Sequence, residues 1–230
     1  SDAFVLVLLG IVSAGVVASV LGFMMARYRG IFFALLNLAF SMLLFGAIVN
    51  SAVLGSTDGF SVTVPSYFGY VPSSGGSRVT FMLYGMICVL ACGSALLVNR
   101  YLNSTMGYMG EAIRENEVRV GYLGASVKHA IVIKYLISAV LAGMGGALTV
   151  LLIGHVTPED TIYWTRSGEF VFVAILSGTG NVAAPFVGSA MFELVRTYAL
   201  QYAPDIWQML LGATLLLIIM FLPGGVWSLI

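Results

Sequence analysis

The sequence predicts an all-α integral membrane protein, a polytopic helical bundle of about six spans with one additional half-helix that enters the membrane and returns. Hydrophobic residues make up 60% of the 230 residues and charged residues only 9%, whereas soluble domains have about 25% charged residues. The mean hydropathy is +1.01. The apolar residues also occur in segments of about 20 residues, the length that a helix needs to cross the hydrocarbon core.

The predicted spans follow one another along a single transmembrane domain, 1–230. We expect them to be helical, because backbone polar groups in lipid must be satisfied within the segment or in a closed barrel. The sequence lacks the period-2 alternation of barrel strands. The chain begins Ser1-Asp2, without an initiator Met or a basic leader, so we expect further spans before residue 1. The predicted spans are 3–26, 30–54, 79–99, 130–154, 183–202 and 206–222.

Two long loops separate these spans, and their charge predicts the orientation of the chain. The loop 55–78 is rich in Ser, Gly, Thr, Pro and Tyr, and the loop 100–128 is charged. Seven of the ten basic residues flank or fill the turn 27–29 and the region 100–134. Cytoplasmic loops carry the excess of Lys and Arg, so this side is predicted to be cytoplasmic, with 55–78 and 155–168 outside.

The charged stretch 110–119 is the most informative part of the loop 100–128. It contains five of the chain's twenty charged residues. Because charges are costly in hydrocarbon, such a cluster in a connecting loop predicts a docking surface in water. Helical spacing of apolar residues and an i,i+4 pair of Glu115 with Arg119 predict one amphipathic helix. A solvated helix without a partner is the alternative. The apolar residues are Met106, Met109, Ile113 and Val120.

The segment 168–188 is too short and too broken for an ordinary span. Its apolar part, 168–177, would make only about 15 Å of helix before the Gly178-Thr179-Gly180-Asn181 interruption. Such a break is tolerated where the backbone is buried in protein or lines a wet cavity. We therefore predict a half-helix entering from outside, with 183–202 returning. A single kinked span through 169–190 is the alternative.

The same break supplies candidates for a path through the membrane. Half-helix ends and freed amides near the middle of a membrane are common ligand contacts. Close helix packing is the competing interpretation, since Gly and Ser are frequent at membrane helix interfaces. Glu193 and Arg196, three residues apart in a predicted span, are expected to pair with each other, and a role in proton or ion movement is the alternative. The candidates are Gly178, Gly180 and Asn181, with Asn37 and Ser177 as polar neighbours.

Enzyme and metal motifs are missing from the sequence. His129 and His155 belong to no paired metal-ligand motif, and Cys88 and Cys92 lie one helical turn apart in an apolar segment, which is typical of packing. Neither a Gly-x-Ser-x-Gly elbow nor a phosphate-binding loop ending in Lys-Ser or Lys-Thr occurs. We therefore predict no catalytic residue, no metal and no cofactor on this chain, and the balanced charge suggests no nucleic-acid partner.

Several stretches, in order along the chain, resemble the permeases of branched-chain amino-acid ABC importers. Residues 27–40, beginning Arg27-Tyr28-Arg29-Gly30, look like the arginine-glycine-tyrosine-phenylalanine-alanine opening of a permease helix in that family. Residues 56–60 resemble its threonine-glycine-glycine, aspartate-glycine-leucine segment. Residues 110–119 resemble its cytoplasmic alanine-isoleucine-arginine-glutamate-asparagine signature. The pattern, which favours the M-type subunit, continues through Pro158, Trp164, Ser167, Glu169, the Gly178/Gly180 break and 221–225.

The chain departs from that pattern at three positions. The family usually has Thr at Asn37, a second Gly at Ser177 and Gly at Ala184. The first of these lies on what the resemblance suggests is a pore-facing helix. The substrate implied by the resemblance is a branched-chain or other hydrophobic amino acid, and urea, short amides and aromatic acids carried by relatives remain open.

The resemblance implies an ABC importer permease fold and a place in the inner membrane of a bacterial cell. Its implied partners are a second, similar permease subunit, two cytoplasmic ATPase subunits and an external solute-binding protein, with ATP and Mg bound by the ATPases. The loop 100–128 would hold a coupling helix that moves with the ATPase dimer. A secondary transporter or channel driven by an ion gradient is the alternative. The implied coupling residues are Glu111, Ile113, Arg114, Glu115, Asn116 and Arg119.

Overall fold

The computed structural model of the protein describes residues 2–51, 56–61, 77–178, 180–202, 204, 206–222 and 224–229. Most of these residues are helical, as the sequence predicts. Most of the predicted loop 55–78 lies outside the described residues. The elements are α1 (Ala3–Met25), α2 (Ile31–Val49), β1 (Phe60–Ser61), α3 (Ser77–Leu102), α4 (Thr105–Tyr122), α5 (Val127–Ile153), β2 (His155–Val156), α6 (Pro158–Thr161), α7 (Trp164–Ser177), α8 (Ala184–Tyr202), α9 (Trp207–Phe221) and a 3₁₀ turn (Val226–Leu229).

Within the described residues, five segments are long and apolar enough to cross a membrane. They include all of α1, α2 and α5, most of α3, and a segment that starts with α9. The predicted span 183–202 also forms a helix, α8, but it is not among the five. Its apolar residues are interrupted by polar ones, including Glu193 and Arg196, so its composition differs from that of a helix surrounded by lipid.

The chain divides into two compact units, Ser1–Tyr163 and Trp164–Ile230. In the first unit, α1 and α5 form the most extensive helix pair. A Cβ atom on Gly143 would lie 2.5 Å from Ala14 Cβ, and one on Gly22 would lie 2.9 Å from the Tyr135 ring. The contact positions rise along α1 while they fall along α5, so the helices are antiparallel. Small residues let the two backbones approach closely, as is common between membrane helices.

The two ends of the α1–α5 pair carry different contacts. At one end, the turn 26–30 after α1 contacts α4 through an ion pair between Arg29 and Glu117. At the other end, β1 pairs with β2 in antiparallel register, with Phe60 opposite Val156, and Ser61 Oγ lies 3.1 Å from His155 Nδ1. The turn 27–29 and the charged loop therefore share one end, as the alternation of spans predicts.

α3 packs against this pair through a small apolar cluster. Ala3 and Leu83 are buried there, with Leu151 of α5 against them. Cys88 and Cys92 of α3 are free thiols on its exposed side. α3 is therefore held at the end of the pair that carries β1 and β2, and its opposite end leads directly into α4.

In the second unit, α7 and α8 form an antiparallel hairpin. Near the tip, a Cβ on Gly188 would lie 2.5 Å from Ser177 Cβ and 3.1 Å from the Val173 carbonyl oxygen. Farther from the tip, Glu169 of α7 faces Arg196 of α8. α7 has 14 residues, about 21 Å of helix, which is shorter than the hydrocarbon core. The hairpin agrees with the predicted half-helix and return, and differs from a single kinked span.

Candidate functional site

The charged segment forms α4, but α4 is not the single amphipathic helix that its spacing predicts. Asn116 is extended, with φ −158° and ψ 96°, so α4 consists of a first segment, 105–115, and a second segment, 117–122. Asn116 Oδ1 accepts a hydrogen bond from the Arg119 amide at 2.9 Å. Asn is a favoured N-cap residue because its side chain satisfies an amide of the first helical turn. The predicted i,i+4 pair of Glu115 with Arg119 is wrong, because the helix is interrupted between them.

The first segment of α4 is fixed to α3 and α5 through two glycines. Gly107 is buried, and a Cβ there would overlap the backbone of Leu102 at the end of α3. The side chain of Lys134 from α5 crosses Gly110 so closely that a Cβ at Gly110 would coincide with its ammonium group. Glycine is therefore required at position 107, where a side chain would meet backbone, whereas at position 110 the flexible end of Lys134 would have to move aside. The first segment lies against α3 and α5 on this side.

The second segment of α4 is fixed instead to the turn between α1 and α2. Arg29 Nε donates a hydrogen bond of 2.6 Å to Glu117 Oε1. The same guanidinium donates to the carbonyl oxygens of Ala26 and Tyr28. Ala26 is the C-cap residue of α1 and Tyr28 lies in the turn that follows. A cation next to the C-terminus of a helix is favoured by the helix dipole, so Arg29 is held at the end of α1 while it binds Glu117.

The predicted coupling residues line the outer side of α4. Glu111, Arg114, Glu115, Asn116 and Arg119 are exposed, whereas Ile113 is half-buried. Among the described residues, the charged groups of the four ionic side chains in this set make no ion pair with one another or with the rest of the protein. Their charge is therefore turned toward the surroundings.

Apolar side chains stand beside these charges, and sequence spacing did not single them out. Val118, Tyr122 and Leu123 are 65%, 88% and 80% exposed. Protein interfaces combine an apolar centre with a polar rim, and three exposed apolar side chains beside the charges of α4 fit that arrangement. α4 and the residue after it thus expose charged and apolar side chains on one surface.

The predicted path residue Asn37 takes part in packing within the first unit. Its side-chain oxygen accepts a hydrogen bond of 3.1 Å from the Tyr135 hydroxyl. The Tyr135 ring also packs edge-on against Phe33 of α2 and lies over Gly22 of α1. Tyr135 therefore joins three helices, and Asn37 supplies the polar end of that joint.

The predicted path residues of the second unit fall into two groups. Ser177 is 1% exposed, with its hydroxyl 3.1 Å and 3.2 Å from the carbonyl oxygens of Ala174 and Gly178. Gly178 has φ +84°, and a Cβ there would overlap the carbonyl of Gly224 in the turn after α9. By contrast, Gly180 and Asn181 are exposed, and Asn181 Oδ1 accepts a hydrogen bond from the Ala183 amide at 3.1 Å. Only the second group presents polar atoms to the surroundings.

Charged residues hold α7 against α8 in this unit. Arg196 lies 3.8 Å from Glu193, as predicted, and also 4.0 Å from Glu169. Glu169 in turn accepts a hydrogen bond of 2.9 Å from Arg166. The Arg196 guanidinium also stands 6.0 Å from the centre of the Trp207 ring, within the range of a cation–π interaction. These contacts make the charges part of the packing of α7, α8 and α9.

We expect Glu169→Gln to lower the free energy of unfolding by about 1–3 kcal/mol, because it removes the charged acceptor of the Arg166 hydrogen bond and the ion-pair partner of Arg196. The matched variant is Glu193→Gln. The Glu193 side chain is 65% exposed, whereas that of Glu169 is 22% exposed, so loss of the Glu193 charge should change stability little. Thermal unfolding of both proteins in detergent measures the difference. Equal losses would contradict the role assigned to Glu169.

Several residues of these sites were not predicted from the sequence. Tyr135, Lys134 and Glu117 act through partners that lie far away along the chain, for example 88 positions between Arg29 and Glu117. The signal that could have found Arg29 and Glu117 is their location in two loops that positive-charge counting places on one side. Tyr135 and Lys134 give no comparable signal.

Comparison with known proteins supplies the family. The model of the family described as "Branched-chain amino acid transport system / permease component" matches residues 2–219. The permease protein LivM of a high-affinity branched-chain amino acid transport system is 28% identical in Salmonella typhimurium, over 95% of this chain and 55% of that protein. LivM of Escherichia coli is 27% identical, over 92% of this chain and 55% of that protein.

Two further results concern the length of the relatives and the solved structures. The chain spans about half the length of the curated relatives it matches. The search of solved structures found no significant match. Nevertheless, the family model covers α1 to α8 and nearly all of α9. The chain therefore belongs to the branched-chain amino acid transport system permease family and is a multi-pass membrane protein.

Proposed function

We propose that this chain is part of a permease subunit of an ATP-binding-cassette importer in the inner membrane of a bacterial cell. It would translocate branched-chain amino acids, the substrates in the names of the LivM relatives, or other hydrophobic amino acids. A second, similar permease subunit would complete the pore, an external solute-binding protein would deliver the substrate, and two ATPase subunits would bind ATP and Mg and drive the cycle.

The observation that carries this proposal is the outer surface of α4. It joins exposed charges, whose groups have no ionic partner among the described residues, to exposed apolar anchors. Its other side is fixed to the helices at three places, Gly107, Gly110 and Glu117. A surface that docks an ATPase needs both exposed contact groups and rigid attachment to the membrane helices, since docking without attachment would transmit no movement. A solvated helix without a partner would need neither.

The test is co-purification of the complete permease with its candidate ATPases in detergent. We expect the native protein to retain the ATPase, and Arg114→Glu combined with Glu115→Lys to lose most of it, because like charges would then face the partner. Lys128→Glu is the control, since Lys128 is exposed at the same end but outside α4. Retention of the ATPase by the double variant would contradict the docking role.

An uptake assay in vesicles separates this function from an ion-gradient carrier. Leucine uptake should require the ATPase, ATP and the external binding protein, and it should not be supported by an ion gradient alone. The charges of α7 and α8 that would suit a carrier are paired with one another. Uptake driven by a gradient without ATP would reject the importer function.

A further inference from the structure

Movement imposed on α4 can reach the rest of the first unit by two separate routes. The first segment, 105–115, contacts α3 and α5 through Gly107 and Gly110. The second segment, 117–122, contacts the turn 26–30 through Glu117. Between them the chain is extended at Asn116, so the continuous ladder of helix hydrogen bonds that would make the two segments one rigid rod is interrupted.

We infer that the ion pair of Arg29 with Glu117 is the joint through which the second segment of α4 moves α1 and α2, while Asn116 allows the two segments of α4 to turn separately. This inference rests on the proposed function, because it assigns a path to the movement that the ATPase would impose. Arg29 and Glu117 are positioning residues in this scheme, and neither touches substrate.

The geometry of Arg29 suits a joint better than an ordinary surface ion pair. Its guanidinium donates to Glu117 and, at the same time, to the backbone carbonyls of Ala26 and Tyr28. A force on Glu117 is therefore passed to the backbone at the end of α1 and not merely to a flexible side chain. The two side chains are 32% and 39% exposed, so protein covers most of each.

The helices attached to Arg29 would carry the movement far from α4. α1 ends at Met25 and α2 begins at Ile31, so the turn holding Arg29 is the direct connection between them. α1 packs along α5 through small residues, and α2 is linked to α5 by the bond between Tyr135 and Asn37. Displacement of the turn would thus change how α1 and α2 lie against α5.

The asparagine between the segments is suited to this separation. Its backbone leaves the helix, and its side chain caps the second segment by accepting from the Arg119 amide. The cap keeps the second segment helical even though the first segment cannot supply the missing hydrogen-bond partners. Each segment can therefore keep its own form while the angle between them changes.

The experiment uses the complete transporter in vesicles and measures ATP hydrolysis, retained ATPase and leucine uptake separately. We expect Arg29→Glu and Glu117→Arg each to retain the ATPase and hydrolyse ATP, but to transport at least about tenfold less leucine per ATP. The double exchange, Arg29→Glu with Glu117→Arg, should recover part of that ratio. Recovery would be incomplete, because a carboxylate at position 29 cannot donate to the carbonyls at the end of α1.

Arg27→Glu is the matched control. Arg27 lies in the same turn, is exposed, and undergoes the same charge reversal, so its ratio of uptake to hydrolysis should stay near the native value. A ratio equally low in Arg27→Glu, or no recovery in the double exchange, would overturn the joint. Loss of the ATPase from the single variants would also overturn it, since the pair would then act in docking. If the native protein itself retained no ATPase, the proposed function would fail first, and this inference with it.

Discussion

Gly143→Leu is expected to force α1 and α5 apart and to destabilise the first unit more than any other single change proposed for it. A Cβ at this position would already lie 2.5 Å from Ala14 Cβ and 3.0 Å from the Gly10 carbonyl oxygen. Neither neighbour is a flexible side chain that could move aside. Overpacking of a well-packed contact costs about 1–3 kcal/mol, and we expect the upper end of that range here.

The measurement is thermal unfolding in detergent together with the fraction of protein that remains monodisperse. Gly146→Leu provides the control, because Gly146 lies on the same helix and a Cβ added there would meet no neighbouring group within 4 Å. It changes helix propensity and bulk in the same way without entering the contact. If both variants unfolded at the same temperature, the close packing of α1 on α5 would not be a main source of stability.

Gly178→Val is expected to distort the turn that ends α7 and leads to α8. Its φ of +84° is a conformation that β-branched residues strongly disfavour. The added side chain would also overlap the backbone at Gly224, and Gly225 of that turn makes an equally close approach to Gly178 in return. The left-handed backbone alone costs roughly 1–2 kcal/mol, and the displaced turn adds to it, so we expect low yield and loss of uptake together.

Gly180→Val is the matched variant for this break. A Cβ on Gly180 would meet no neighbouring group within 4 Å, and its φ is not positive, so the folded protein should tolerate the change. If Gly180 lies on the substrate path, uptake should fall while thermal stability is unchanged. Normal stability of Gly178→Val would contradict the packing role of Gly178, and unchanged uptake in Gly180→Val would remove Gly180 from the path.

The positions of the long helices could be predicted because they depend on local composition. Apolar length alone locates α1, α2, α3 and α5, and the glycines after Ser177 mark the end of α7. The interruption at Asn116 was missed, although asparagine is a favoured N-cap residue. The flanking sequence has good helix formers on both sides, and the periodicity of the apolar residues continues through the break, so the pattern predicted one helix.

The partners within the site were harder to predict because they depend on tertiary contacts. The sequence suggested Arg196 with Glu193, which are neighbours on one helix, but not Arg196 with Glu169, which requires the α7–α8 hairpin. The sequence likewise suggested, from their polarity, that Asn37 and Ser177 lie near the path of the substrate through the membrane. The structure gives Asn37 a hydrogen bond from Tyr135 of another helix, which only the packing of helices reveals. Ser177 instead donates to Ala174 within its own helix and is buried.

The pairing of α1 with α5 has a consequence for the order of events during synthesis. Roughly 100 residues separate Met25 from Val127, and a ribosome adds about 5–20 residues per second. α1 therefore spends about 5–20 seconds in the bilayer before its partner emerges. It is suited to that delay: it has no charged residue, and the hydroxyls of Ser13 and Ser19 bond to carbonyls of their own helix. The helix can thus reside in lipid without its main partner until α5 arrives.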